Sequence, residues 1–308
     1  MHAFSQRLSD AILRTKTPLV VGLDPRLDSL PQTYQSLVQG NVWDRAQAVR
    51  DYCCWVVDAV ADIVPAVKPQ LAFFEELGPA GTQALADVVK YAREKGLLVI
   101  GDGKRGDIGT TATAYANAYL GVDSPWGMDC LTINPYLGAD TLQPFVRTAR
   151  ERQAGIFVLV KTSNPGSGDF QDLLLSSTAN NSPQTLYQRV ATELNRLSNE
   201  VDAATDRHGL CEIGAVVGAT YPQQLIDLRQ RMPKCWLLIP GFGAQGGTAQ
   251  DTAGGFHSNG LGAIVNSSRA ILYAFDPQDR SHRWIDAVRH AALTAKQQLR
   301  DATPAGNL

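Results

Sequence analysis

Cysteine is scarce in this 308-residue chain, and the five present, Cys53, Cys54, Cys130, Cys211 and Cys235, form neither a CxxC pair nor a Cys/His metal spacing. An odd, unspaced set argues against a disulfide framework and a structural zinc site, and predicts reduced, mostly buried thiols. An excess of positive charge is also missing: 28 Lys and Arg face 30 Asp and Glu, a formal net charge of -2. Without a basic field the chain is not expected to hold a nucleic-acid backbone. Any phosphate has to be met by a few placed groups, which suits a small phosphorylated ligand. Long apolar runs are lacking too. The segment MHAFSQRLSDAILRTKTP carries charge throughout and has no apolar centre of the signal-peptide kind. No later stretch is apolar for long enough to cross a membrane as a helix, so a soluble cytoplasmic protein is expected. His2, His208, His257, His282 and His290 are scattered, none beside a carboxylate at ligand spacing, and no metal is assigned. Trp43, Trp55, Trp126, Trp236 and Trp284 do not interleave with basic residues, which favours core packing or interface burial over base stacking.

What the sequence does contain is a repeated alternation. Apolar runs bounded by turn residues span 18–25, 66–70, 97–102, 130–135, 155–161, 213–218, 235–240 and 262–266. They are rich in Val, Ile and Leu with little strict alternation, as expected of parallel strands covered on both faces. Helix-like segments lie between them, including 43–63, 80–95, 110–120 and 183–203, and an amphipathic stretch over 284–300 closes the chain. The length suits one large core or two smaller domains. Eight strand–helix alternations with no Pro/Gly/Ser-rich linker favour the former, a single α/β (β/α)8 TIM barrel over residues 1–308.

In such a barrel the chemistry sits at the C-terminal ends of the strands. Here VVGLDPR ends on Asp24, AVKPQ carries Lys68, VIGDGKRGDI carries Asp102 and Lys104, and VLVKTSNPG leads into Ser163. Period-two alternation puts Asp102 and Lys104 on one side of a strand, with Asp107 opening the loop or helix that follows. That spacing alone is equally compatible with a buried ion pair closing the top layer of the barrel and Asp107 as an ordinary helix N-cap. Lys68 on the adjacent strand tilts the reading toward chemistry, because clustered lysines and aspartates are costly to desolvate and mark perturbed, catalytic sites. A second constellation lies on the last two strands. IPGFGAQGGTAQD supplies Gly241, Gly243, Gly246 and Gly247, whose backbone amides can approach an anion, and IVNSSRAI supplies Arg269, a planar fork for phosphate oxygens.

Taken together, GLDPR, KPQLAFFE, DGKRGDIGTTA, KTSNPG, PGFGAQGG and the late Ser-Arg resemble the orotidine 5'-phosphate decarboxylases, in particular the longer bacterial type 2 group. The motifs span residues 22–269, and the element Asp102, Lys104, Asp107, Ile108, Thr111 is the most specific of them. The resemblance implies a barrel enzyme that converts orotidine 5'-monophosphate to UMP without metal or cofactor. It implies catalysis by Lys68, Asp102 and Lys104 beside Asp107 and Thr111 of the neighbouring subunit, and therefore a homodimer. It further implies that Asp24 and Lys68 bind ribose hydroxyls, Ser163 the pyrimidine, and Gln245 and Arg269 the phosphate. The chain departs from shorter members in reading NSSRA, where they place a glycine directly before the arginine, and in an insertion over 166–183. One alternative is another phosphosugar barrel enzyme, such as a metal-dependent sugar-phosphate decarboxylase or an isomerase; the SNPG and KPQ motifs count against it. The other is a catalytically dead barrel, which would be missing part of the array, and every position is filled.

Overall fold

A computed structural model describes residues 2–176, 183–200, 203, 205–244, 246–276 and 283–308. Eight parallel strands close into one barrel: β1 (Leu19–Leu23), β2 (Ala66–Pro69), β3 (Leu98–Arg105), β4 (Cys130–Ile133), β5 (Gly155–Lys161), β8 (Ile213–Val217), β9 (Trp236–Ile239) and β10 (Ala263–Ser267). They lie in the order β1-β2-β3-β4-β5-β8-β9-β10, with β10 paired back to β1 through Leu19 and Val265. All eight coincide with the apolar runs of the sequence. The helices Val42–Val60, Gly78–Glu94, Gly109–Tyr119 and Leu186–Leu197 surround the barrel, and Trp284–Ala302 packs against the first of these. Their starts are specified locally: Asn41 and Asp44 form a reciprocal capping box at one, Thr185 and Gln188 at another.

Three features differ from the sequence expectation. The helix Phe4–Thr15 was not anticipated in a segment read only for its charge; its apolar stripe Phe4, Leu8 and Ile12 is buried. It closes the N-terminal end of the barrel against Ile100, Cys130, Phe157, Trp236 and Ile264. Phe4 and Phe157 meet edge to face at 6.4 Å. Gly155 allows this, since a Cβ there would stand 2.2 Å from the Phe4 ring. The 166–183 insertion contains the short helix Gly168–Gln171 and the two-residue strand β6 (Leu174–Leu175), antiparallel to β7 (Gln184–Thr185); residues 177–182 lie outside the described residues. The helix expected over 183–203 is consequently shorter, and 201–202 are likewise outside them, as is His282. Finally, of the tryptophans expected in the core or at an interface, Trp236 and Trp284 are core residues, whereas Trp43 and Trp55 are exposed on the single chain. Four of the five thiols are buried and all five are free.

The barrel interior is therefore plugged at one end by a helix and open at the other, where the strands point their C-termini. No described helix is long and apolar enough to cross a membrane.

Candidate active site

The open end holds a cleft of about 410 Å³, whose lining includes Asp24, Lys68, Asp102, Lys104, Ser163 and Arg269 from five different strand ends. Leu159, Val216, Leu238, Pro240 and Phe242 form its apolar wall. Asp102 is its centre. The strand order puts β2 beside β3, so that Lys68 Nζ donates to Asp102 Oδ2 at 2.5 Å while Lys104 Nζ donates to Oδ1 at 2.6 Å. Gln70 Nε2 donates to Oδ2 and Thr132 Oγ1 to Oδ1, both at 3.0 Å, so one carboxylate receives four hydrogen bonds from three strands.

Burial opposes ionisation of Asp102, but the Lys68 and Lys104 ammonium groups outweigh it and hold its carboxyl well below the usual carboxylate range. Burial likewise works against the Lys68 ammonium, and the charges of Asp102 and Asp24 outweigh it, raising its pKa. Both groups are thus charged at neutral pH. The two lysines differ in setting: Lys68 is buried, whereas the Lys104 side chain is 45% exposed and faces the cleft. Asp24 Oδ1 and Asn266 Oδ1 are buried acceptors of the same cleft with no hydrogen-bond partner among the described residues. Such oxygens are costly unless a ligand donor meets them.

The strand bearing Asp102 and Lys104 is longer than expected. It runs on to Arg105, and its pairing with β4 shifts register between Gly101 and Arg105. Lys104 has φ +47°, left-handed for a residue with a side chain. The two side chains do meet, but through this irregularity rather than through simple alternation. Asp107 is not the helix N-cap. That position is Ile108, whose N–H donates to Asp107 Oδ1 at 2.7 Å, and Asp107 and Thr111 both lie outside the lining of the cleft of their own chain. Beside them Ile108, Tyr136 and Leu137, on the loops after β3 and β4, are exposed apolar side chains.

Arg269 opens the short helix after β10, exposed at the edge of the cleft, and Arg269 Nη2 donates to the Ala244 carbonyl at 3.4 Å. The facing loop turns through Gly241, Gly243 and Gly246 at φ +100°, +81° and +93°, a conformation that favours glycine. The amides of Gly243, Gly246 and Gly247 donate within the loop, so these three shape the turn. Gln245 lies outside the described residues. Ser163 follows β5, half-buried, and its carbonyl accepts from Thr220 Oγ1 at 3.3 Å. Sequence reasoning gave no role to Gln70, Thr132 or Asn266. The signal was there in the strand parity, since Gln70 is two residues beyond Lys68, just past the end of β2, but neutral polar residues at strand ends do not stand out in composition.

A closed parallel barrel with a Lys–Asp–Lys array at its C-terminal rim, and an arginine facing a glycine-rich loop at the same rim, is the arrangement of a barrel enzyme acting on a small anionic substrate. Residues 17–284 match the model of the orotidine 5'-phosphate decarboxylase / HUMPS family. The chain is 50% identical to the orotidine 5'-phosphate decarboxylase of Rhodopirellula baltica, covering 97% of this chain and all of that one. It is 44% identical to that of Deinococcus radiodurans, covering 97% of each. Among solved structures, the OMP decarboxylase of Leishmania donovani superposes with a TM-score of 0.73 at 30% identity, over 97% of this chain and 98% of that one. The chain belongs to the orotidine 5'-phosphate decarboxylase / HUMPS family, as one of its decarboxylases.

Proposed function

We propose that the chain decarboxylates orotidine 5'-monophosphate to UMP and CO2, the last step of de novo pyrimidine nucleotide synthesis, with Lys104 as proton donor and without metal or organic cofactor. The reaction belongs in the cytoplasm, where the five free thiols stay reduced, and residues 1–308 act as one catalytic domain. The observation that carries this reading is the Asp102 carboxylate gripped by Lys68 and Lys104 inside the cleft.

Loss of CO2 from C6 of the orotate ring leaves an electron pair in an orbital orthogonal to the π system. Ring resonance cannot spread it, so the barrier has to be lowered electrostatically. Asp102, ionised and fixed, repels the substrate carboxylate. Unit charges about 4 Å apart at an effective dielectric near 20 repel by roughly 4 kcal/mol, which departure of CO2 relieves. Lys104 supplies the opposite effect, stabilising charge at C6 and then delivering the proton that replaces CO2. Its exposure to the cleft suits a group that must reach substrate. Asp24 and Lys68 take the ribose hydroxyls, for which the unpartnered Asp24 Oδ1 is a ready acceptor, and Ser163 contacts the pyrimidine. Gln245 and Arg269 grip the phosphate, which is remote from the breaking bond and holds the loops closed.

Asp107 and Thr111 complete the site of a second subunit in a homodimer, a reading supported by their position outside their own cleft and by the exposed Ile108, Tyr136 and Leu137 beside them. Two inactive variants, Lys104→Ala and Asp107→Ala, then regain activity when refolded together. Random pairing in a twofold dimer restores about a quarter of the sites. Failure to regain any activity overturns the shared site.

The reaction itself is tested by following loss of the orotate chromophore when the protein meets orotidine 5'-monophosphate under strong chelation, with Lys104→Ala as control. Rapid loss that the substitution abolishes is expected. Loss only after divalent metal is added would favour the phosphosugar alternative.

A further inference from the structure

Thr132 has no role in the account above, yet it touches both halves of the array. It is 1% exposed on β4, whose residues are all buried, and its hydroxyl faces β3 where the pairing of the two strands breaks register. The Lys104 backbone N–H donates to Thr132 Oγ1 at 2.9 Å. The hydroxyl has one proton, and that proton goes to Asp102 Oδ1 at 3.0 Å, the same oxygen that receives the Lys104 ammonium. The direction of both bonds is therefore settled, since a backbone N–H can only donate and an ionised carboxylate can only accept.

The consequence concerns the strained residue. A left-handed residue with a side chain persists only where its surroundings over-determine it. Lys104 lies within the stretch where the β3–β4 register shifts, and its N–H meets the Thr132 hydroxyl, so the backbone turn and the carboxylate are tied to one side-chain oxygen. We propose that Thr132 is a positioning residue for the reaction, its hydroxyl locking the Lys104 backbone and the Asp102 carboxylate into a single rigid unit that presents the ammonium to the reacting carbon. This rests on Lys104 being the proton donor.

The test is steady-state decarboxylation of orotidine 5'-monophosphate by the parent, Thr132→Val, Thr132→Ser and Lys104→Ala, together with UMP affinity by calorimetry and melting temperature for each. Valine keeps the shape and removes both bonds. The expected result is a fall in kcat of roughly 10- to 100-fold, the range that one hydrogen bond to a charged group supports. KM and UMP affinity stay within about threefold, because ground-state contacts are unchanged. Serine, which retains the hydroxyl, recovers kcat to within about threefold of the parent. Parental kcat in Thr132→Val overturns the proposal. So does a loss of UMP affinity as large as the loss of kcat, or a serine variant no better than valine, either of which makes the residue a matter of shape. Should valine prevent folding, Thr132→Ala is read by the same comparison with serine. An inactive parent, or an active Lys104→Ala, overturns the reading of the site and the inference with it; a parental Thr132→Val beside a dead Lys104→Ala overturns the inference alone.

Discussion

The two ends of the barrel use their buried polar groups differently. At the N-terminal end they are closed on one another: Asp206 Oδ2 accepts from Ser5 at 3.0 Å and from Ser9 at 2.5 Å, and Trp236 Nε1 donates to Ser5 at 2.9 Å. Nearby, Arg229 has no carboxylate partner among the described residues; its two Nη atoms donate to the carbonyls of Gly255, Gly262, Met232 and Cys235, and its Nε is left unpartnered. At the C-terminal end, Asp24 and Asn266 keep buried oxygens with no partner among the described residues, and Lys104 holds a strained backbone with a half-exposed ammonium. The plugged end pairs most of its polar groups internally, with Arg229 Nε and Glu212 Oε2 as exceptions, whereas the open end leaves acceptors that line a ligand-sized cleft. The difference is visible without knowing the substrate.

Substitutions at the two ends should therefore separate activity from stability, beginning with the largest effect. Lys104→Ala is expected to lower kcat by at least about 10⁴-fold, toward the upper limit of acid–base catalysis, with little change in melting temperature because the side chain is half exposed; turnover near the parental rate sinks its proton-donor role. At the other end, Phe4→Ala opens a cavity in the plug and is expected to cost about 3–5 kcal/mol of stability in chemical denaturation, while kcat of the folded enzyme is unchanged. A loss of kcat as large as Lys104→Ala would erase the contrast between the ends. Arg269→Ala should raise KM by roughly 10- to 100-fold with a smaller effect on kcat, as for removal of one charge-assisted grip on phosphate. An unchanged KM would remove Arg269 from the phosphate site.

The smallest effect is one of pH. His257, whose Nε2 lies 3.0 Å from the Pro233 carbonyl, has its pKa lowered, by burial first and then by the Arg229 charge. An imidazole depressed in the folded chain contributes stability above its unfolded pKa, near 6.5, and loses it as pH falls through that range. The melting temperature of the parent minus that of His257→Gln should thus shrink between pH 7.5 and 5.5. A difference that grows on acidification would reverse the sign and with it the account of that environment.

How much of this was legible follows from where the information lies. The eight strands could be read because each is a short apolar run covered on both faces, a local signal repeated eight times. The helix Phe4–Thr15 was missed because a barrel plug is recognised by what it covers, not by its own composition. Its apolar stripe is only Phe4, Leu8 and Ile12 among charged neighbours. Asp102, Lys104 and Lys68 stood out as charges at strand ends, where solvation makes an unpaired ion cheap and convergence makes it expensive.

By itself, then, the sequence determined the barrel, the order of its strands and the charged residues brought to its rim, since periodicity and residue type are properties of neighbours along the chain. Tertiary structure alone decided that Lys68 and Lys104 share one carboxylate and that Lys104 reaches it from a left-handed backbone. Only the fold, too, set the neutral Thr132 between them and left Asp107 and Thr111 outside the lining of their own cleft. Those are relations between strands far apart in sequence, and register, twist and burial assign them only once the barrel has closed.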